Sequence, residues 1–487
     1  MSIGKVVKGS LWLYFSSIIN NFIGYLYWII ATKFIESSII GTTAAIVGFS
    51  SLIAVYFNLS LSSGEIRMIG KSLGLNDYER INYYFSNSLI ISFFLSLIAS
   101  ILLFFLPDGF MGYSRIELSF ASLFILIGYC SWSAIFSSFF IALLKTEIIA
   151  LIALISQISK FIIGIFLLYI GMGLYGIIGG LIISILISDI IYIIMCKRIE
   201  WLKIKKLNKK IIKELIIASL PSYISAILGS TGSWLGIISI YGIIGGKTTG
   251  TYYISFMIAS FVYTISSTIL GLMFPLLSGM EDGRKRAISR AIRISYAITM
   301  PITALGILYP HVPLGFLGKE YLNSTLSLQI LLIGTFIMPI TSGFANLIYA
   351  YGKYKLVTLF GIASNIPRII LYIPMVNYFG DLGAAISYIS GYFSELIVTI
   401  IMSKKIGFRL EFKPILVLTP LLIAILANLF SLHWIISTIL VFIISIFVYA
   451  RLNLIKKEDL KDIYEAIFSK RYFLSYARFI VHILYGE

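Results

Sequence analysis

Apolar segments long enough to cross a lipid bilayer follow one another along almost the whole chain of 487 residues. A helix needs about 20 mostly apolar residues to span the hydrocarbon layer, and by that rule the sequence contains roughly fourteen spans. Only 12% of the residues are charged, against about 25% in typical soluble domains. The alternation of a β-barrel, in units of roughly ten residues, is absent from the sequence. We therefore predict an all-α, polytopic membrane protein.

The limits of these spans follow from the lengths of the apolar runs. The predicted spans are 9–32, 39–63, 84–106, 118–144, 147–170, 174–196, 215–241, 250–277, 292–310, 323–350, 356–377, 383–403, 414–431 and 434–450.

Lysine and arginine are distributed unevenly between the two sides of the predicted membrane. With a cytoplasmic N-terminus, about 32 of the 38 basic residues fall on cytoplasmic segments, as the positive-inside rule requires. This asymmetry accounts for most of the formal net charge of +17 without a nucleic-acid partner. We expect a multi-pass protein of the plasma membrane, with both termini in the cytoplasm and its basic loops against membrane lipids.

Two stretches in different halves of the chain share one pattern. They are "GLYGIIGGLIISILISDIIYIIMCKRI" from Gly173 and "GDLGAAISYISGYFSELIVTIIMSKKI" from Gly380. Each begins with glycine, has a second glycine three residues later, places one carboxylate inside the span and ends in a basic pair. Since each half holds six spans, corresponding helices run in the same direction. The pattern predicts a parallel repeat related by an axis along the membrane normal.

The repeat divides the chain into five parts. They are an N-terminal six-helix lobe at 1–200, a cytoplasmic basic linker at 201–214, a C-terminal six-helix lobe at 215–408, two extra spans at 409–450 and a cytoplasmic amphipathic tail at 451–487. Two structures remain open for the linker, an amphipathic helix on the inner membrane surface or a tether between the lobes. Because one chain holds both lobes, we expect a monomer.

Lys160 and Arg368 are the two basic residues inside predicted spans. They lie 16 and 15 residues before Gly176 and Gly383, the second glycines of the two repeats, so the second charge repeats the first. Each lies roughly 18–20 Å along its helix from the cytoplasmic end, near the midplane. A charge placed there costs about 2.5–3.5 kcal/mol on insertion scales, so each needs a partner or a wet cavity.

Two interpretations of these charges remain open. In the first, Lys160 pairs with Asp189 and Arg368 pairs with Glu395, each carboxylate standing on the next helix. In the second, the cations line a chamber between the lobes that receives an anionic substrate. Arginine can bind a phosphate through two hydrogen bonds and lysine adds a mobile point charge, so a pyrophosphate suits the chamber better than a neutral drug. The recurrence of the charge in both halves favours the chamber.

Asp189 and Glu395 have a second interpretation of their own. A carboxylate inside the membrane can bind a proton or Na⁺, so these two residues are candidates for H⁺ or Na⁺ coupling, and no cofactor is expected. Four prolines inside or near the starts of spans are candidate hinges, although a static kink explains them as well. They are Pro221, Pro275, Pro339 and Pro367.

Residues typical of catalysis are scarce. The three histidines have neither the spacing of a metal site nor that of a nucleophile–base pair. The stretch "GIIGGKTTG" at 242–250 ends like a phosphate-binding loop, but Tyr241 stands where that motif requires glycine, so we predict a turn between spans. The connections on the exterior are short. The sequence therefore does not favour an enzyme.

Several stretches, in this order, are similar to those of a known family of membrane transporters. They are "GSLWLYFSSIINNFIGYLYWIIATKF" at 9–34, Gly41, "LSLSSGEIRMIGKSLG" at 59–74, "LPSYISAILGS" from Leu220, "TTGTYYISFMIAS" from Thr248, "MFPLLSG" from Met273, "FLGKEYLNSTLSLQIL" from Phe316 and the repeat from Gly380. With the repeat architecture, they resemble the polysaccharide/oligosaccharide flippases. That family belongs to the multidrug/oligosaccharidyl-lipid/polysaccharide exporter superfamily.

The resemblance implies two six-helix lobes, two more helices at the C-terminus and alternating access. It also implies a polyprenyl-linked oligosaccharide as the substrate, carried from the inner to the outer leaflet, with cations of the central cavity meeting the lipid phosphates. Arg67 matches the basic position that closes the second span of the family. No charge lies within the first span, where lipid II flippases carry basic residues, which favours another glycan precursor over lipid II.

Two alternative functions are less well supported by the sequence. A cation-coupled multidrug extruder of the same superfamily would want acidic cavity residues, whereas the midplane charges of this chain are basic. A membrane-embedded glycan polymerase or ligase would need a large exterior loop.

Overall fold

The computed structural model describes residues 3–129, 132–280, 282–408, 414–452 and 454. Within these residues every regular element is a helix, which confirms the predicted all-α class. The amphipathic tail predicted at 451–487 lies, apart from its first residues, outside the described residues.

Seventeen α-helices are described. They are α1 (Ile3–Ala31), α2 (Ser37–Asn58), α3 (Leu61–Gly74), α4 (Tyr78–Phe104), α5 (Arg115–Phe124), α6 (Trp132–Ala142), α7 (Thr146–Tyr169), α8 (Gly173–Lys197), α9 (Lys209–Ile243), α10 (Gly246–Gly279), α11 (Arg284–Leu308), α12 (His311–Leu317), α13 (Thr325–Ile333), α14 (Met338–Ala350), α15 (Tyr354–Ile406), α16 (Pro414–Leu429) and α17 (Trp434–Arg451). Short 3₁₀-helices at Phe110–Gly112, Lys319–Ser324 and Gly334–Phe336 and a π-helix at Ile125–Tyr129 complete the set.

The described helices accommodate the predicted spans. Ten helical segments, of which Arg115–Ala142 joins α5 and α6, are long and apolar enough to cross a bilayer, and the bent pair Lys319–Phe336 and Met338–Ala350 passes the same test when taken together. The 53 residues of α15 measure about 80 Å at 1.5 Å per residue, enough for two crossings. Together with α1 and the short apolar α16, the elements of the described ranges match the fourteen predicted spans.

The glycines that begin the two repeat stretches form equivalent turns. Gly173 and Gly380 both have positive φ angles, 48° and 61°, a region that glycine enters at little cost. The second glycines of the two repeats, Gly176 and Gly383, pack closely against the helix before them. A Cβ atom on Gly176 would lie 3.1 Å from the Leu167 backbone, and one on Gly383 would lie 2.0 Å from the Met375 carbonyl oxygen. The repeated glycines therefore let two consecutive spans turn tightly and pack side by side.

A tyrosine–glycine contact joins equivalent helices in the two halves, with the partners exchanged. In the first half, a Cβ atom on Gly164 of α7 would lie 2.8 Å from the ring of Tyr27 on α1. In the second half, a Cβ atom on Gly236 of α9 would lie 2.6 Å from the ring of Tyr372 on α15. Each half of the chain thus has one such contact between its first and its later helices, and we call helices α1–α8 the N-terminal lobe and α9–α15 the C-terminal lobe.

Helix α9 contributes to the cores of both lobes, whereas the predicted division assigns its first six residues to the linker and the rest to the C-terminal lobe. Ile211 and Leu215 near its start are buried in the core of the N-terminal lobe. A Cβ atom on Gly64 of α3 would lie 2.7 Å from the Leu215 carbonyl oxygen, so these helices touch at a glycine. Farther along, the Tyr372 hydroxyl donates to the Gly232 carbonyl at 2.8 Å. One long helix therefore connects the two halves.

The predicted linker at 201–214 is helical only in its last residues, 209–214, which begin α9, and the part before them tethers α8 to α9. No helix is assigned from Arg198 to Asn208. Instead, three polar side chains of α4 bind the linker backbone: the Asn82 amide donates to the Trp201 carbonyl, the Ser86 hydroxyl accepts from the Lys205 N–H, and the Asn87 amide oxygen accepts from the Asn208 N–H. These bonds replace the hydrogen bonds that a helix would have made within the linker.

Replacing Asn82 by alanine should loosen this tether. Asn82 donates to the Trp201 carbonyl at 2.9 Å and accepts from the Lys203 N–H at 3.1 Å. Two lost hydrogen bonds are worth about 2 kcal/mol, or about a thirtyfold larger open population. We expect tryptic cleavage in the linker to accelerate accordingly. Asn377→Ala, which removes an amide bonded within its own helix, is the matched control. Equal cleavage rates in both variants would contradict the assignment.

Candidate functional site

Lys160 and Arg368 stand at equal positions in equivalent helices. Each lies fourteen residues after the first residue of its helix, Thr146 in α7 and Tyr354 in α15. At 1.5 Å per residue this is about 21 Å from the end where the basic connections lie. We call that side of the molecule the basic face and the other side the opposite face.

Arg368 is enclosed by tyrosines of the C-terminal lobe. Its side chain is 5% exposed, and its guanidinium carbon lies 4.2 Å from the ring centre of Tyr388 and 4.7 Å from that of Tyr392. Nε donates to the Tyr388 carbonyl at 2.8 Å, while the buried Nη2 has no hydrogen-bond partner among the described residues. Cation–π contact stabilises a charge in apolar surroundings. One donor nitrogen of the buried guanidinium is left unused.

A glycine makes room for this arginine. A Cβ atom on Gly391 would lie 2.3 Å from Arg368 Nε and 2.1 Å from the Ser364 carbonyl oxygen. Gly391 and Arg368 stand on the two arms of α15, which separate at Gly380. The close approach of the arms therefore fixes the position of the charge.

Lys160 has a simpler environment in the N-terminal lobe. Its side chain is half-buried, and its Nζ atom lies 5.1 Å from the ring centre of Tyr27. Tyr27 is fully buried, and its hydroxyl has no partner among the described residues. Each intramembrane cation is thus held by tyrosine rings of its own lobe.

Neither predicted ion pair forms within the described residues. Lys160 and Asp189 do not come within 4 Å as a salt bridge, and the same holds for Arg368 and Glu395. Asp189 accepts a hydrogen bond from the Ser133 hydroxyl. It stands eight residues before the end of α8, about 9 Å nearer the basic face than Lys160.

Arg67 stands apart from the other two predicted site residues. It is exposed on α3, which follows the second span at the basic face. The described contacts of Lys160 and Arg368 do not include it. A role for Arg67 in binding substrate remains a prediction.

The four predicted hinges occupy different structural positions. Pro221 and Pro367 lie inside α9 and α15, and Pro275 lies within the range of α10. Pro339 stands at the start of α14, beside a bend of 41° between the two parts of the broken span. Movement at any of them remains a prediction.

Glycines bring the two lobes into backbone contact at the opposite face. A Cβ atom on Gly41 of α2 would lie 1.9 Å from the Gly246 carbonyl oxygen of α10, and one on Gly250 would lie 1.8 Å from the Ser37 carbonyl oxygen. Gly246 and Gly250 form a GxxxG pair, which permits close helix packing in membranes. This end of the boundary between the lobes is closed.

Side chains reinforce that closure. The Lys33 ammonium donates to the Phe316 carbonyl at 2.6 Å, and the Ser37 hydroxyl donates to Glu320 at 2.7 Å. The Tyr241 hydroxyl donates to the Glu117 carboxylate at 2.7 Å. All three bonds link the N-terminal lobe to the C-terminal lobe.

A buried carboxyl group near the basic face was not predicted from the sequence. Glu65 on α3 is fully buried, accepts a hydrogen bond from the Ser138 hydroxyl, and has no partner for its second oxygen among the described residues. Burial raises its pKa well above the usual value, because the charged form is poorly solvated there. In the sequence, the position of Glu65 next to Gly64, in a stretch typical of a helix, was the feature that could have identified it.

Comparison with solved structures identifies the fold. The chain is similar to the lipid II flippase MurJ in its inward closed conformation, with a TM-score of 0.71, 16% identity and coverage of 90% of this chain and 99% of that chain. It is also similar to an inward-facing multidrug resistance MATE transporter, with a TM-score of 0.61, 16% identity and coverage of 80% and 93%. The chain therefore has the fold that these two transporter structures share.

Sequence comparison identifies the family. Residues 6–281 match the family model described as "Polysaccharide biosynthesis protein", so the chain belongs to that family. A protein of Shigella flexneri named "Putative O-antigen transporter" is 34% identical over 128 residues, which cover 26% of this chain and 31% of that relative. An uncharacterized membrane protein of Methanocaldococcus jannaschii is 24% identical over 429 residues, covering 80% of this chain and 82% of that protein.

Proposed function

We propose that the protein is a flippase that moves a polyprenyl-(pyro)phosphate-linked oligosaccharide from the inner to the outer leaflet of the plasma membrane. The observation that carries the proposal is the pair of intramembrane cations, Lys160 and Arg368. They recur at the same depth in both lobes and form no direct ion pair in the described part of the chain.

The chemistry of these cations fits a lipid phosphate. A charge at this depth is costly unless it meets an opposite charge or water, and tyrosine rings compensate only part of that cost. The unused Nη2 donor of Arg368 can bind a phosphate oxygen, and Lys160 supplies a second positive charge. A substrate that brings two negative phosphates would satisfy both cations.

The contacts between the lobes fit alternating access. With the basic face toward the cytoplasm, as the positive-inside rule favours, the glycine contact between α2 and α10 closes the exterior side. Transport then requires Gly41 and Gly246 to separate so that the head group can leave on that side. In this proposal, neither the separation of the lobes nor the release of the head group uses a cofactor bound by the chain.

The proposal is tested by glycan display in cells depleted of the protein. Cells are complemented with wild type, with Lys160→Gln/Arg368→Gln, or with Lys209→Gln/Lys210→Gln, which removes two exposed basic residues at the start of α9. We expect depletion to leave lipid-linked oligosaccharide in the inner leaflet. The first double variant should rescue surface glycan at least about tenfold less well than wild type, which corresponds to about 1.4 kcal/mol, and the control should rescue fully.

Two outcomes would contradict this function. Normal surface glycan in cells that lack the protein would exclude an essential role in its export. Accumulation of toxic cations with unchanged glycan would indicate a multidrug extruder. Full rescue by Lys160→Gln/Arg368→Gln at a normal protein level would overturn the role of the two cations.

A further inference from the structure

A cavity of about 850 Å³ opens on the basic face of the C-terminal lobe, apart from Lys160 and Arg368. It lies where the turn between α10 and α11, the turn between α14 and α15 and the end of α15 meet. We call it the α11 basin. Its charged lining residues are Arg284, Lys285, Arg286, Arg293 and Asp282. Among the described residues, four positive side chains thus share the cavity with one negative side chain.

Two of these cations are fixed by backbone carbonyls. Arg284 donates from Nε to the Met280 carbonyl at 2.7 Å and from Nη1 to the Ala350 carbonyl at 3.1 Å. The Lys285 ammonium donates to the carbonyls of Ile406 at 2.8 Å and Gly407 at 3.0 Å. These bonds tie the three connections together. They hold two full positive charges on the wall of the basin, and no carboxylate of the described residues forms an ion pair with either.

The other two cations have no protein partner among the described residues. Arg286 and Arg293 are seven residues apart on α11, so they lie on one face of the helix, two turns apart. Within the ranges that the structure describes, neither makes a hydrogen bond or an ion pair. Arg293 is nevertheless half-buried. Their donor groups are therefore available to a ligand in the basin.

The basin lies at the depth of lipid head groups. Helix α11 begins at Arg284, eight residues before the predicted span 292–310. Its first turn, with Arg286, therefore stands in the head-group layer, about 9 Å before the start of the span. Arg293 lies about 10 Å farther along the axis, near the hydrocarbon boundary, from which a long basic side chain reaches back toward phosphates.

At the equivalent place in the N-terminal lobe, basic side chains of α4 and the linker form ion pairs. Helix α4 begins there with Asp77, which accepts from the Arg80 N–H and forms an ion pair with the Arg80 side chain at 3.7 Å. The linker covers the next turns of α4 through Asn82 and Asn87. The positive-inside rule acts on both lobes, so it does not explain why the C-terminal lobe combines an open cavity with four cations at this place.

We propose that the α11 basin binds the phosphate of a membrane lipid head group, with Arg286 and Arg293 as the binding residues. Guanidinium groups bind phosphate oxygens through paired, charge-assisted hydrogen bonds. The shared chemistry is a lipid phosphate, supplied by an anionic phospholipid or by a polyprenyl diphosphate. The inference does not depend on the proposed function, because binding is measured without transport.

The test is lipid binding to the purified full chain in uncharged detergent, followed by native mass spectrometry. Phosphatidylglycerol and a polyprenyl diphosphate are titrated separately, with phosphatidylcholine as the neutral lipid. In Arg286→Gln/Arg293→Gln we expect one bound lipid fewer, or affinity at least about tenfold lower, for one or both phosphate lipids. Lys209→Gln/Lys210→Gln, with two exposed charges removed outside the basin, should bind within about twofold of wild type.

The pattern of loss identifies the source of the phosphate. If only the binding of phosphatidylglycerol is lost, the basin binds a phospholipid. If only the binding of the polyprenyl diphosphate is lost, the basin binds that lipid. If the binding of both is lost, the basin accepts the phosphate of either lipid. Arg286→Lys/Arg293→Lys keeps both charges and should retain most of the binding, which guards against a folding defect. Unchanged binding in the glutamine variant, equal loss in the Lys209/Lys210 control, or displacement of the lipid by an equal concentration of inorganic pyrophosphate would each overturn the inference.

Discussion

Replacing Gly41 by alanine should separate the two lobes at the opposite face and impair transport. The new Cβ atom would lie 1.9 Å from the Gly246 carbonyl oxygen, and a backbone atom cannot rotate away as a side chain can. Overpacking of this kind costs about 3 kcal/mol, so the closed arrangement loses its advantage over the open one. Spin labels at Met172 and Tyr378, exposed residues of the two lobes, should report longer distances in the variant.

Two further variants sharpen this test. Gly250→Ala meets the Ser37 carbonyl oxygen at 1.8 Å, and because it disturbs the same contact, its effect should not add to that of Gly41→Ala. Gly24→Ala on α1 has no atom within 4 Å of the new Cβ and should behave as wild type. Unchanged label distances in Gly41→Ala, with wild-type transport, would show that the glycine contact does not hold the lobes together.

Replacing Gly391 by alanine should displace Arg368 and destabilise the C-terminal lobe. The Cβ atom would lie 2.3 Å from Arg368 Nε and 2.1 Å from the Ser364 carbonyl oxygen, so the two arms of α15 must move apart. We expect a loss of about 3 kcal/mol in unfolding free energy and a loss of the hydrogen bond from Arg368 to the Tyr388 carbonyl. Thermal unfolding in detergent measures the first effect, and glycan display measures its consequence for transport.

The control for Gly391 stands on the same helix. Gly361→Ala places its Cβ where no atom lies within 4 Å, and alanine favours a helix over glycine by about 1 kcal/mol. This variant should be as stable as wild type or slightly more so. If Gly391→Ala were equally stable, the tight packing of Arg368 between the arms would be refuted.

The spans could be predicted closely because bilayer thickness limits their length. The predicted span 147–170 corresponds to Thr146–Tyr169, and 174–196 corresponds to Gly173–Lys197. The repeat could be predicted because its glycines serve the same purpose in both halves, a tight turn at Gly173 and Gly380. Length and turn geometry are local properties, which sequence patterns report well.

The partners of the buried charges could not be predicted in the same way. Asp189 binds Ser133, a residue on α6, and nothing in the sequence states which helices become neighbours or how they are rotated. Some signals were nevertheless present. Tyr388 and Tyr392 are four residues apart and therefore share a helix face, which is the face that encloses Arg368.

The stretch "GGKTTG" illustrates the same limit. The stretch was predicted to be a turn between spans, but the turn covers only Ile244 and Gly245, because α10 begins at Gly246. Gly246 and Gly250 are therefore helical, and their GxxxG spacing, which was visible in the sequence, belongs to a helix face. Only the structure shows that this pair meets Gly41 on α2.

Movement of a lipid-linked oligosaccharide across a bilayer of defined composition tests the proposed function most directly. Purified protein is reconstituted into liposomes that contain a polyprenyl-diphosphate-linked oligosaccharide in both leaflets, and a glycosidase is added outside. With wild type, we predict that the enzyme reaches the inner-leaflet pool as well as the outer one. Liposomes with Lys160→Gln/Arg368→Gln should release only the outer-leaflet fraction on the same time scale. The experiment is repeated with a gradient of H⁺ and with a gradient of Na⁺ across the liposome membrane. If the inner-leaflet pool stays protected from the glycosidase under all these conditions, although the wild-type protein is folded, the proposed function is contradicted.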